Sequence, residues 1–283
     1  MELSPAIGER VVTDQLRQLL VDRDTAASMG QQRTGDAAGG PAPYFVNATF
    51  DFTFAGGLSI ATFVVLWSFG SPQQTVLARE ILLTLVWFIN YPHFSATLQR
   101  LFRRRENAAQ YPLTAYLLPL VVLGGIVASF ASPHTFAPYF VKLMLMWSSY
   151  HFSGQTLGVT LIYARRQGVR LDRRERRALS TFIYSTYLGY MLTAGIVAGS
   201  YYGVDYPGFA VPSWIAALPR WTTWCSGGFL IAFALSWSLE HRRLFPVIVL
   251  LPAVTQYLWF LPGFTATDFF IFVPLFHSLQ YLP

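Results

Sequence analysis

Long apolar runs, broken by short arginine-rich stretches, set the pattern of this chain. Eight such segments occupy residues 52–70, 80–102, 113–131, 138–163, 179–199, 221–239, 244–261 and 267–283. A helix needs roughly 20 predominantly apolar residues to cross the hydrocarbon core of a bilayer, and most of these runs approach that length. The pattern predicts an all-α fold, a polytopic membrane helix bundle of about eight transmembrane helices.

The charges between the runs predict orientation. Arg100, Arg103, Arg104 and Arg105 follow the second segment, and Arg165, Arg166, Arg170, Arg173, Arg174, Arg176 and Arg177 follow the fourth. Arg242 and Arg243 follow the sixth. The opposite loops are nearly bare: Ser132-Pro133-His134 and residues 262–267 hold no arginine or lysine, and between Ser200 and Arg220 only Arg220 is basic. Cytoplasmic loops carry the excess of basic residues, so both termini are expected in the cytoplasm. The expected location is multipass in a bacterial inner (plasma) membrane.

Ahead of the first run, residues 1–24 space Ile7, Val11, Val12, Leu16, Leu19 and Leu20 among charges. That spacing fits a short amphipathic helix on the membrane surface, or a solvated tail. Residues 25–43 lack periodicity and read as a linker. The expected organisation is thus an amphipathic, flexible cytoplasmic tail over 1–43 and a transmembrane domain over 44–283. The first stretch has no apolar core region, so no cleavable signal peptide is expected.

Composition agrees with this reading. The chain is 53% hydrophobic and only 12% charged, whereas a soluble domain carries about 25% charged residues. The net charge of +6 is almost wholly arginine, Lys142 being the sole lysine. Basic clusters flanking apolar runs are topology signals and headgroup contacts, so the lipid bilayer is the expected partner and nucleic acid is not. Cys225 is the only cysteine, which excludes an internal disulfide and a cysteine metal cluster.

Chemistry enters with the histidines. His93, His151 and His277 lie inside the second, fourth and eighth segments, which run in one direction, from outside to inside. His93 falls 12 residues past Ile81, His151 13 past Pro138 and His277 10 past Thr267. At the helical rise these are depths of about 18, 20 and 15 Å, within about one turn of each other. Ionisable groups at membrane depth are costly and face a cavity, a partner or a ligand. Each histidine has an amide near it on its helix: Asn90 at i−3 from His93, Gln155 at i+4 from His151, Gln280 at i+3 from His277. Asn90, Gln155 and Gln280 are candidates to orient a ring or bind a substrate oxygen.

Three imidazoles meeting in an apolar bundle suit a divalent transition metal, iron by preference, with zinc or copper as alternatives. Three protein ligands leave positions open for water, dioxygen or substrate. The function expected is a metal-dependent oxygenase or oxidoreductase acting on an apolar lipid-like small molecule. Two other classes stand beside it. Two histidines at one depth can sandwich a haem in an electron-transfer subunit, with Gly124, Gly125, Gly227 and Gly228 admitting the porphyrin face. Alternatively the imidazoles are helix–helix hydrogen-bonding groups, worth about 0.6–2 kcal/mol each, in a transporter or a structural subunit with a membrane partner or a second copy.

Other polar residues at depth are few. Lys142 and Asp268 sit at similar depth near the outer ends of their helices, where they either pair or snorkel to the interface. Asp51 opens the first segment, where the helix dipole favours a carboxylate, and is an outside candidate for a fourth ligand. Tyr184, Tyr187 and Tyr190 form a stripe that faces a pocket or packs. His134 and His241 read as interfacial. The chain holds no nucleophile elbow, phosphate loop, HExxH pair or clustered desaturase histidine boxes.

With one buried histidine on each of several helices, the chain resembles the Brp/Blh-type carotene-cleaving oxygenases in architecture. That resemblance implies a helical membrane bundle with a histidine-ligated iron acting on an apolar polyene, and makes His93, His151 and His277 iron ligands. The family uses four histidines, and three are placed at depth here.

Overall fold

The computed structural model describes residues 42–69, 72–201, 203–261 and 269–280. The expected amphipathic stretch over 1–24, nearly all of the linker and Asp268 lie outside them. Among the described residues the chain is mostly helical, as the apolar runs predict.

Nine helices are described. They are α1 (Ala48–Phe69), α2 (Pro72–Phe102), α3 (Arg105–Gln110), α4 (Leu113–Ala131), α5 (Ala137–Arg166), α6 (Arg173–Tyr190), α7 (Ser213–His241), α8 (Leu251–Phe260) and α9 (Val273–Leu279). A two-stranded antiparallel hairpin, β1 (Gly199–Tyr201) and β2 (Val204–Tyr206), departs from the all-α expectation. Two helices, α1 and α4, are long and apolar enough to cross a membrane by length and composition.

Local chemistry sets several boundaries. Asn47 caps α1 by accepting a hydrogen bond from the Phe50 amide at 2.9 Å. Asp172 and Glu175 form a capping box at the start of α6. Within α1, residues Thr53–Gly57 wind as a π turn. Such a turn takes backbone carbonyls out of the regular ladder and offers them to other partners. A side chain at Gly56 would collide with Thr255 Oγ1, so glycine is what lets α1 and α8 touch there.

The seventh and eighth apolar runs fold differently from expectation. Residues 244–261 yield α8, only 10 residues after a short 3-10 turn at Val247–Val249. The eighth run yields a 3-10 turn at Phe269–Phe272 and the seven residues of α9. At 1.5 Å per residue, helices of these lengths reach about 10–15 Å, half or less of a hydrocarbon core of about 30 Å. Among the described residues neither is a full span, and eight transmembrane helices are not supported. These two runs are apolar because protein surrounds them: Leu251, Trp259, Phe260, Phe269, Val273 and Phe276 are all buried. Irregular, broken helices at depth are tolerated where protein covers them.

The long helices surround these short ones. The α6 and α7 helices pack along their lengths, α8 lies against α5, α6 and the π turn of α1, and α9 rests on α2 and on that same turn. The largest buried cluster joins Phe63, Phe152, Trp259, Phe260, Phe272 and Phe276 around α8 and α9. The outer faces are strongly apolar, with Phe130 84% exposed and Phe88 73% exposed. Contiguous apolar surface on this scale marks a lipid or protein environment.

Two further expectations change. Asp51 is fully buried, but its carboxylate is already engaged: it accepts from the amides of Phe45 and Val46 at 2.7 and 3.1 Å and from the Tyr163 hydroxyl at 3.1 Å. It fastens the entry of α1 to α5, so a role as fourth ligand is set aside. Lys142 is buried too. Its Nζ donates to the Val197 carbonyl at 2.7 Å and lies 4.6 Å over the Tyr206 ring, which ties α5 to the hairpin region. A compact point charge reaching a carbonyl this way cannot also snorkel.

Candidate metal centre

Three elements deliver the three histidines. His93 follows Pro92 inside α2. A proline within a helix frees a carbonyl and bends the chain, which re-aims the residues that follow. His151 projects from the middle of α5, and His277 from the buried α9. Their rings meet. The centroid separations are 6.2 Å for His93–His151, 5.1 Å for His93–His277 and 5.0 Å for His151–His277. One nitrogen from each ring lies within 4.8 Å of the other two. The convergence expected from matched depth is therefore present. Among the described residues this triad is the group able to hold a metal ion.

Nitrogens bound to one ion at about 2.1 Å stand about 3.4 Å apart in a tetrahedral set. The triad is looser than that, and an ion would draw it inward by roughly 1 Å, a movement that χ rotation supplies. The environment is asymmetric. His93 and His277 are buried at 5% and 2% exposure, whereas His151 is exposed. Phe152 packs its ring 4.4 Å from His277 and closes the inner side. Beside His151, Tyr150 meets Trp147, Tyr184 and Tyr187 at 6.1, 5.7 and 6.0 Å. Tyr184 and Tyr187 thus join an aromatic wall next to the exposed imidazole, while Tyr190 stacks on Phe260 in the core.

The three amides hold backbone and hydroxyl groups. Gln155 Nε2 donates to the His277 carbonyl at 2.7 Å, and Gln280 Nε2 to the Ala55 carbonyl at 2.9 Å in the π turn of α1. Asn90 Oδ1 accepts from the Ser278 hydroxyl at 2.8 Å. Together they clamp α9 to α5, α1 and α2. They position His277 by fixing its helix rather than its ring.

This distribution bears on the packing alternative. Both nitrogens of His277 are buried and have no hydrogen-bond partner. Buried polar atoms are paired in the great majority of cases, and an orphan calls for an explanation. An imidazole serving as helix–helix glue would be bonded to one of the nearby amides, yet those amides bond elsewhere. The haem alternative needs room for a porphyrin. Gly125 is backed by the Phe140 ring and Gly227 by the Phe182 ring, whereas Gly124 and Gly228 face open space.

His134 is exposed, and His241 stacks on Trp237 at 4.2 Å. Both stand apart from the triad, as expected. Sequence reasoning missed a buried polar seam on α5: Ser149, Ser153, Thr156 and Thr160, with Gln256 of α8 against it. The signal was present as hydroxyls spaced 4, 3 and 4 residues apart, one face of a helix, inside an apolar run.

No family model, no curated protein and no solved structure matches this chain. These comparisons show no likeness to the carotene-cleaving oxygenases.

Proposed function

We propose that this chain is a multipass membrane protein that holds one divalent transition metal ion on His93, His151 and His277 and oxidises a long apolar molecule taken from the lipid. The observation that carries the reading is the meeting of three imidazoles from three helices, two of them buried and one open to the outside of the bundle. The orphaned nitrogens of His277 support a ligand role over a packing role. Neutral imidazole suits iron, zinc and copper alike. Iron is preferred because a saturated or polyene chain offers little to hydrolyse and is attacked by oxidation. When bound, iron with open coordination positions supplies dioxygen activation.

The chain's own residues supply the rest. Gln155, Asn90 and Gln280 hold α9 in register so that His277 faces its two partners. Phe152 excludes water from the inner side. Tyr150, Tyr184 and Tyr187 border the open flank at His151 and give an apolar substrate a surface to lie against. The exposed apolar faces, and the basic clusters after α2, α5 and α7, support a plasma-membrane setting with the arginine-rich ends in the cytoplasm. A haem between two of these histidines is a weaker reading, because the third ring stands 5.1 and 5.0 Å from the other two, where the porphyrin plane would pass.

Elemental analysis of detergent-purified protein tests the proposal. About one metal ion per chain is expected in the wild type, and a large loss in His151→Ala, since removing one of three ligands leaves an incomplete site. Negligible metal in both proteins overturns it.

A further inference from the structure

At the start of α6 lies a hollow of about 360 Å³, lined by Leu171, Asp172, Arg173, Arg176, Arg177 and Ser180. Small-molecule sites span roughly 300–1,000 Å³, so it has room for a lipid headgroup. Its lining holds three guanidinium groups and one carboxylate, a net charge of +2. The neighbouring acids are engaged with backbone: Asp172 accepts from the amides of Arg174 and Glu175, and Glu175 accepts from the Asp172 amide. Those bonds close the helix end, so what the hollow offers an anion is side chains. Arg176 Nε donates to the Leu171 carbonyl at 3.1 Å, which holds that guanidinium at the lining. Arg173 and Arg177 are exposed and form no ion pair with a described residue.

The hollow is one end of a longer feature. Arg173, Arg177, Ser180, Tyr184 and Tyr187 are spaced 4, 3, 4 and 3 residues apart, one face of α6. His151, Gly154, Gly158, Ile162 and Arg165 are spaced 3, 4, 4 and 3 residues apart, one face of α5. The two helices pack antiparallel, and these faces meet at the histidine end. The Tyr187 hydroxyl donates to the Met146 carbonyl at 3.4 Å, the Tyr184 ring lies 5.7 Å from that of Tyr150, and a Cβ at Gly154 would stand 3.8 Å from the Tyr184 hydroxyl. At Gly158, between that end and the arginines, a Cβ would meet nothing within 4 Å. A cleft therefore runs between α5 and α6 from the guanidinium groups towards the exposed His151. Tyr184 is seven residues past Arg177, about 10 Å along α6.

We propose that the hollow binds the phosphate of an anionic lipid, and that the chain of this lipid follows the α5–α6 cleft to His151. Guanidinium groups pair with phosphate through two parallel hydrogen bonds, and the Ser180 hydroxyl is at hand to donate another. A phosphomonoester carries a charge of about −1.5 to −2 at neutral pH, the complement of this lining. Basic pockets at the cytoplasmic ends of membrane helices take lipid headgroups in this way. A lipid is favoured over a soluble phosphate because the hollow opens into a cleft that leads away from the arginines to the aromatic wall of Tyr150, Tyr184 and Tyr187. The substrate class narrows to a phosphate-bearing lipid whose reacting carbons lie about 10 Å from the phosphate. That last step rests on the metal reading, whereas the headgroup site stands without it.

The test uses the full chain in detergent, titrated with dioleoyl phosphatidic acid and followed by native mass spectrometry. One lipid per chain is expected, bound about tenfold or more tightly than dioleoyl phosphatidylcholine. Arg173→Gln combined with Arg177→Gln should abolish that preference. Arg174→Gln removes a positive charge outside the lining and should retain it. Equal loss in Arg174→Gln would make the surface a diffuse basic patch and overturns the site. Displacement of the lipid by millimolar inorganic phosphate would make the occupant a soluble anion and overturns the lipid assignment. A phosphatidic acid carrying a diazirine about 10 Å down one chain reads the path. Its crosslinks should map to the stretch 150–158 and to Tyr184. They should fall several-fold in Gly158→Leu, which fills the cleft, with the headgroup preference unchanged. Crosslinks spread over the outer faces of α4 and α7 overturn the path. Neither measurement reads metal, so a metal-free protein that passes both keeps this site and loses only the proposed oxidation.

Discussion

Replacing His277 with phenylalanine separates a metal ligand from a packing group, because the two roles give opposite signs. In the metal-free protein, His277 buries two ring nitrogens without partners at 2% exposure. An unsatisfied buried polar group costs about 1–3 kcal/mol, so removing the imidazole relieves some of that cost. Phenylalanine is slightly larger, and Phe152 already lies 4.4 Å away, so overpacking returns about 1–3 kcal/mol of destabilisation. The two effects nearly cancel, and the metal-free variant should melt within a few degrees of the wild type. Metal breaks the tie. At one hundred times the dissociation constant a ligand stabilises the folded state by about 2.7 kcal/mol. For a chain of this size that is a rise of roughly 5–11 °C in Tm. The wild type should gain it on adding ferrous or zinc ion under anaerobic conditions, and His277→Phe should gain none. The assay is thermal unfolding in detergent, with and without metal, for both proteins. Equal metal shifts in the two proteins would refute the assignment. A loss of several degrees in the metal-free variant would refute the claim that the ring is unpartnered, and would return His277 to a packing role.

Two other perturbations read different parts of the structure. Metal ions bind deprotonated imidazole, so acidification should weaken binding as protons compete for all three rings; the metal-induced rise in Tm should be present near neutral pH and vanish as pH falls, which a pH series of the same melts will follow. Tyr163→Phe removes the hydroxyl that donates to Asp51 at 3.1 Å and leaves the shape of a fully buried ring intact; a hydrogen bond to a charged group is worth about 1.5–3 kcal/mol, so the melt should fall by several degrees with the metal shift unchanged.

The histidine centre was legible in the sequence because depth along a helix is simple arithmetic. A fixed rise per residue converts position into height, and three parallel segments gave three similar heights. The arithmetic survived the failure of one of its premises. It treated the eighth run as a full span, whereas His277 sits on a seven-residue helix buried inside the bundle. Apolarity has the same signature whether lipid or protein is the neighbour, so the runs at 244–261 and 267–283 could not reveal which one they faced. Their prolines at 246, 252 and 274 carried the clue, since each stands at the start of a short helix or turn and so marks a new beginning inside the apolar run. The targets of the amides were not legible either. Gln155 and Gln280 bond to carbonyls more than a hundred residues away in sequence, and one of these belongs to a π turn that no periodicity announces.

The short α9 explains the asymmetry of the centre. A histidine on a peripheral helix can turn outwards or towards its neighbours, and His151 of α5 remains exposed. A histidine on a buried plug has no such choice. Once Gln155, Gln280 and Asn90 clamp α9 to α5, α1 and α2, His277 is held from behind at 5.0 and 5.1 Å from the other two rings. Two rings set by buried packing and one at the rim make a site that is preorganised on its inner side and open on its outer side. Under the proposed function, that geometry would hold an ion from the inner side and leave its remaining coordination positions facing an apolar molecule at the rim.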